Sequence, residues 1–79
     1  MKNYLYVLYN TLSKRYESVM SFPSDGMAIH RLSQGGVDKK EFELCRFGEI
    51  EIESAESKTY APIRLIWEEE TDLPKTEAE

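Results

Sequence analysis

Apolar side chains occupy both parities of residues 4–9. Leu5, Val7 and Tyr9 alternate with Tyr4, Tyr6 and Leu8. Such a run predicts a β-strand that is apolar on both faces. Asn10-Thr11-Leu12-Ser13 has turn composition, and residues 14–20 read as the returning strand of a hairpin. Phe22-Pro23-Ser24-Asp25-Gly26 breaks the pattern. Ser24 is a helix N-cap residue with Asp25 favourable in the first turn, and Ser21 is the competing cap. A helix over 25–34 places Ala28, Ile29 and Leu32 on one face, with Met27, His30, Arg31 and Gln34 pointing away. Gly35 and Gly36 stop it. Residues 41–53 alternate most clearly. Phe42, Leu44, Ile50 and Ile52 share one parity with Arg46 and Gly48; Glu41, Glu43, Glu49, Glu51 and Glu53 share the other with Cys45 and Phe47. Gly48 marks a bulge or bend. Residues 54–58 form a polar turn and 59–67 return as a strand. Pro62 puts that strand at an edge, or lets it enter the sheet only afterwards.

The expected fold is therefore α+β: a small antiparallel sheet of about four strands with one helix, in the order β-β-α-β-β. Residues 1–67 make a single domain, and residues 68–79 an acidic, disordered tail containing Pro74. One short helix covers one face of such a sheet, yet the first strand is apolar on both. A second subunit, giving a homodimer, is the first expectation for the other face, and a bound ligand the second. An open sheet is expected over a small barrel.

Length and composition narrow the class. Seventy-nine residues with 41% hydrophobic content bury a thin core, roughly 60–65% of the unfolded chain's surface. Cys45 is the single cysteine, so no internal disulfide forms, and a reducing, cytoplasmic location is expected. The longest apolar run is residues 4–9, too short to span a membrane. The net charge is −5, and it is unevenly placed. Residues 68–79 carry six acids and one base, while residues 1–67 carry nine of each. Within that neutral body, residues 1–40 are basic and 41–67 acidic.

No catalytic pattern stands out, and a non-enzymatic protein without cofactor or metal is expected. Gly35 and Gly36 follow a helix instead of preceding one, so they cap it and do not cradle a phosphate. One histidine and one cysteine do not build a four-ligand metal site. A His30–Cys45 nucleophile pair is conceivable, but mid-strand Cys45 reads more simply as a small buried hydrophobe and His30 as an exposed helix residue. The alternating glutamates read as a solvated strand face.

Basic and aromatic residues of the first half suggest a different chemistry. Lys14, Arg15 and Tyr16 sit at the hairpin, Arg31 on the outward helix side, Lys39 and Lys40 after the glycine pair, and Arg46 and Phe47 in the third strand. Scattered positive charge with aromatic platforms is how single-stranded nucleic acid is bound. The cations would contact phosphates, with Tyr16 and Phe47 stacking on bases. The neutral body argues against a strong non-specific binder.

Several short blocks, in order, resemble the small nonstructural protein of microviruses, the gokushovirus-like single-stranded DNA phages. They are Tyr9-Asn10-Thr11-Leu12-Ser13-Lys14-Arg15-Tyr16, Phe22-Pro23, Ala28-Ile29-His30-Arg31-Leu32, Val37-Asp38, Phe42-Glu43-Leu44-Cys45-Arg46-Phe47-Gly48-Glu49 and Ala61-Pro62-Ile63. The resemblance spans about residues 4–66. It departs at Ile50-Glu51-Ile52-Glu53-Ser54, where the family often has an Asp-x-x-Thr-Gly turn, and in a shorter loop after the helix. It implies binding of single-stranded DNA during genome replication or packaging, in the host-cell cytoplasm. The alternative is a protein–protein interaction module, a scaffold or a binder of a phage or host protein, working through the exposed sheet face.

Overall fold

A computed structural model describes residues 1–67; the acidic segment 68–79, read above as a disordered tail, lies outside the described residues. The elements follow in the expected order: β1 (Lys2–Asn10), β2 (Arg15–Phe22), α1 (Asp25–Gln34), β3 (Phe42–Glu51) and β4 (Ser57–Arg64). The four strands form one antiparallel sheet in the order β2-β1-β3-β4. The doubly apolar β1 is thus an inner strand. Pro62, which has no N–H to donate, falls on edge strand β4. No helix among the described residues is long and apolar enough to cross a membrane.

The helix starts and stops where its end residues dictate. Ser24 is extended (φ −156°) and its side chain accepts a hydrogen bond from the Met27 N–H. At the other end the Gly35 N–H donates to Arg31 C=O, and Gly36 takes φ +81°, which a glycine adopts at little cost. The helix packs on the face of Tyr4, Tyr6 and Leu8, where Tyr6, Leu8, Ala28, Leu44 and Trp67 form the buried core.

Trp67 belongs to that core for a geometric reason. A ten-residue helix is about 15 Å long, and α1 lies nearest β2, which leaves the β3 side short of cover. The residue pattern carries the final strand to residue 67; in the structure it ends at Arg64. The Leu65 N–H still donates to Leu44 C=O at 2.8 Å. Residues 65–67 then leave the sheet, and Trp67, 2% exposed, joins Tyr6, Leu8 and Leu44 in the core.

A bulge corrects the expected parity of β3. Leu5 lies opposite Gly48 and Tyr6 opposite Arg46, which makes Phe47 an extra residue. Phe42, Leu44 and Arg46 share the helix-side register of Leu8 and Tyr6. Beyond Phe47 the register switches: Glu49 lies opposite Tyr4 on the helix side, and Ile50 opposite Asn3 on the other. The glutamates therefore do not line a single face. Glycine is required at the bulge because a Cβ on Gly48 would lie 2.6 Å from the Lys58 carbonyl oxygen, with Leu5 Cδ1 at 3.0 Å and Thr59 Cγ2 at 3.2 Å. Gly48→Ala forces β3 and β4 apart and is expected to cost about 1–3 kcal/mol. A urea midpoint equal to the parent's would show that the strands yield without loss.

Among the described residues no helix covers the face of Leu5, Val7 and Tyr9. Val7 and Cys45 are nonetheless buried among their sheet neighbours, while Tyr16 and Val19 on β2 stand 56% and 69% exposed.

Candidate nucleic-acid interface

The β1–β2 turn is held by Asn10. Its Oδ1 accepts from the Leu12 N–H (2.9 Å) and the Ser13 N–H (3.1 Å), and its carbonyl accepts from the Lys14 N–H (2.8 Å). Such a side-chain bond to the backbone two residues on is what makes asparagine a turn former. Lys14 takes φ +62°, so the chain reverses within four residues and β2 begins at Arg15. The loop after the helix is organised in the same way. Asp38 Oδ1 accepts from the Lys40 N–H (2.8 Å), and its carbonyl accepts from Glu41 and Phe42.

Thr11 joins these two loops. Its N–H and its hydroxyl both donate to Glu41 C=O, at 2.9 and 3.0 Å. Lys14 and Arg15 are therefore brought to the same end of the sheet as Lys39 and Lys40. Arg64 closes that end from β4, with its Nη1 3.1 Å from Glu43. A cleft of ≈ 620 Å³ opens between Thr11, Lys39, Lys40, Phe42, Arg64 and Trp67, and the Lys39 ammonium lies 5.7 Å from the Trp67 ring centre. Lys14, Arg15, Arg31 and Lys40 make no ion pair with another described residue. At the opposite end of the sheet Glu49, Glu51 and Glu56 gather around Lys2 and Lys58, and the pairing with Lys2 (3.1 Å) holds the Glu49 carboxyl below its ordinary range.

The aromatic half of the expected site also has a location. Tyr16 lies opposite Tyr9 on the uncovered face, with ring centres 4.9 Å apart at 56°. Tyr9 is absent from the residues that sequence reasoning selects, although its parity with Leu5 and Val7 already puts it on that face. Arg64 is absent as well; on a polar edge strand it has no periodic signal to mark it.

Two of the expected residues sit elsewhere. Phe47 is half-buried at the bulge, away from the hairpin turn. Arg46 is on the helix side, 26% exposed, and its guanidinium is engaged within the domain. Its Nη1 donates to Asp25 Oδ2 (2.6 Å), its Nε to Tyr60 Oη (3.1 Å), and it lies 5.5 Å from the centre of the Tyr4 ring. Tyr6 Oη donates to the other carboxylate oxygen of Asp25 at 2.7 Å. Burial and then this hydrogen bond push the Tyr6 hydroxyl well above its ordinary pKa, and the bond to Asp25 raises that of Arg46. The cluster clamps the start of α1 to β1 and β3. Arg31, on the last turn of α1, is exposed and turned to solvent.

Cys45 is 5% exposed, and burial pushes its thiol up, which keeps it protonated and poorly nucleophilic. His30 is an exposed helix residue. Among the described residues no three His, Cys, Asp or Glu side chains converge on a point where a metal ion would sit.

Comparison of the chain with protein-family profiles, with curated proteins and with solved structures returned no match.

Proposed function

We propose that the protein is a non-enzymatic binder of single-stranded nucleic acid, with the microvirus resemblance pointing to single-stranded DNA during phage genome replication or packaging. The observation that carries this reading is the Tyr9–Tyr16 pair on the helix-free sheet face, next to Lys14 and Arg15, whose charges no described acid neutralises. An exposed ring on an antiparallel sheet is a stacking platform that every base fits, and adjacent cations track the backbone. Lys39 and Lys40 extend the positive charge past the turn. Arg46 is left out of the contact set, since its donors point inward.

The test is fluorescence anisotropy of a labelled single-stranded oligonucleotide at low and near-physiological salt. Tyr16→Ala is expected to weaken binding by about 1–3 kcal/mol, roughly 5- to 150-fold. Lys14→Ala/Arg15→Ala should flatten the salt dependence by about 0.7 log units for each phosphate that the pair neutralises. Absence of binding at low salt by folded protein sinks the reading.

A second reading is favoured by Val19, 69% exposed beside Tyr16. An apolar face of this kind suits a protein partner, or a second copy of the chain. Binding there would be insensitive to salt, in contrast to a phosphate backbone.

A further inference from the structure

We propose that residues 68–79 act as an internal competitor, docking on the basic end of the sheet and holding it against anionic ligands. The docking stands on the cleft and on charge; only its consequence for nucleic acid rests on the function proposed above.

The starting point of the segment is fixed. Trp67 is 2% exposed and forms part of the cleft wall. Each further residue advances the chain by at most about 3.6 Å. Glu68, Glu69 and Glu70 therefore have backbones within roughly 11 Å of Trp67 whatever path they follow. Lys39, Lys40 and Arg64 line the same cleft, together with Glu43, which pairs with Arg64. Covalent connection alone therefore starts the acidic run at the cleft that holds Lys39 and Lys40.

Charge favours contact. Residues 68–79 hold six acids and one base, against a body with nine of each, so the excess negative charge of the chain lies in the segment that begins after Trp67. Exposed ion pairs are individually weak and screened by salt. Here, however, the tether removes the translational cost of association and gives a high effective concentration, in the millimolar range for short linkers. The cleft also has apolar surface from Phe42, Leu65 and Trp67, and Leu73 is the segment's one large apolar side chain. The opposite end of the sheet sets Glu49, Glu51 and Glu56 against Lys2 and Lys58 and offers the segment no excess of positive charge.

The experiment uses the full chain with Glu68→Gln/Glu69→Gln/Glu70→Gln, and a nitroxide on Ala78→Cys in both backgrounds. Cys45, 5% exposed, stays unlabelled. In low salt, broadening of the Lys39, Lys40 and Arg64 amides is expected to be strong in the parent background and to fall on glutamate neutralisation or in 0.5 M salt. Equal broadening in both backgrounds overturns the docking. In the anisotropy titration the unlabelled glutamine variant should bind the oligonucleotide about tenfold more tightly. Equal affinity of the two chains overturns the competition. If neither chain binds while the broadening behaves as expected, the nucleic-acid reading fails and the docking stands.

Discussion

Replacement of Trp67 with alanine is expected to destabilise the domain by about 3–5 kcal/mol, in the range for deleting a buried large aromatic. In a domain of this size each kcal/mol lowers the melting temperature by roughly 4–8 °C, so the loss is at least about 12 °C. The reason lies in the cover of the sheet. Trp67 fills the part of the helix-side layer that α1 does not reach, and it belongs to one buried core with Tyr6, Leu8, Ala28 and Leu44. Its neighbour Ile66 is 66% exposed, and Ile66→Ala should stay within about 0.5 kcal/mol of the parent. Far-UV circular dichroism during heating separates the two. Parent-like melting of the Trp67 variant would remove residues 65–67 from the core.

The second large effect is expected at Asp25. It accepts from Tyr6 Oη with one carboxylate oxygen and from Arg46 Nη1 with the other. Asp25→Ala leaves the hydroxyl of fully buried Tyr6 without that acceptor, at about 1–3 kcal/mol. It also deprives Arg46 of its carboxylate. That loss is moderated because Asp25 and Arg46 are 36% and 26% exposed and water partly replaces the partner. A total of about 2–3 kcal/mol is expected by urea titration. In a double-mutant cycle, Asp25→Ala and Arg46→Met should be coupled by at least about 0.5 kcal/mol, as groups in one network are. Strict additivity would mean that the clamp is geometric only.

These two residues mark where reading the chain by pattern stops. Ser24, Gly35 and Gly36 act within a few residues, so the helix is legible to its ends, Asp25–Gln34. The alternation of β3 and the proline of β4 likewise report local backbone needs. Gly48 announces a bulge, but which residue becomes the extra one depends on the partner strand, and with it the faces of Glu49 and Ile50. The inner position of β1 fits its two apolar faces, yet the full strand order is set by contacts distant in sequence. Arg46 shares a parity with Phe42 and Leu44, a sign that it faces inward. Its partner Asp25 is 21 residues away, beyond the reach of any periodicity. For the basic end, sequence supplies Lys14, Arg15, Lys39 and Lys40 but not Arg64; the Thr11–Glu41 contacts that unite the two loops come from the fold.

The sheet order carries a consequence for how the chain is made. β1 pairs with β2 through a tight turn, but its other edge waits for β3, with Lys2 opposite Glu51 and Asn10 opposite Phe42. On a ribosome adding about 5–20 residues per second, the forty-odd residues from the end of β1 to the end of β3 take roughly 2–8 s. A hairpin closes in microseconds, so for nearly all of that interval the nascent chain presents one bare edge of its most apolar strand. Neighbouring nascent copies on one message then compete with β3 for that edge. The yield of correctly folded protein should therefore depend on how closely ribosomes are spaced.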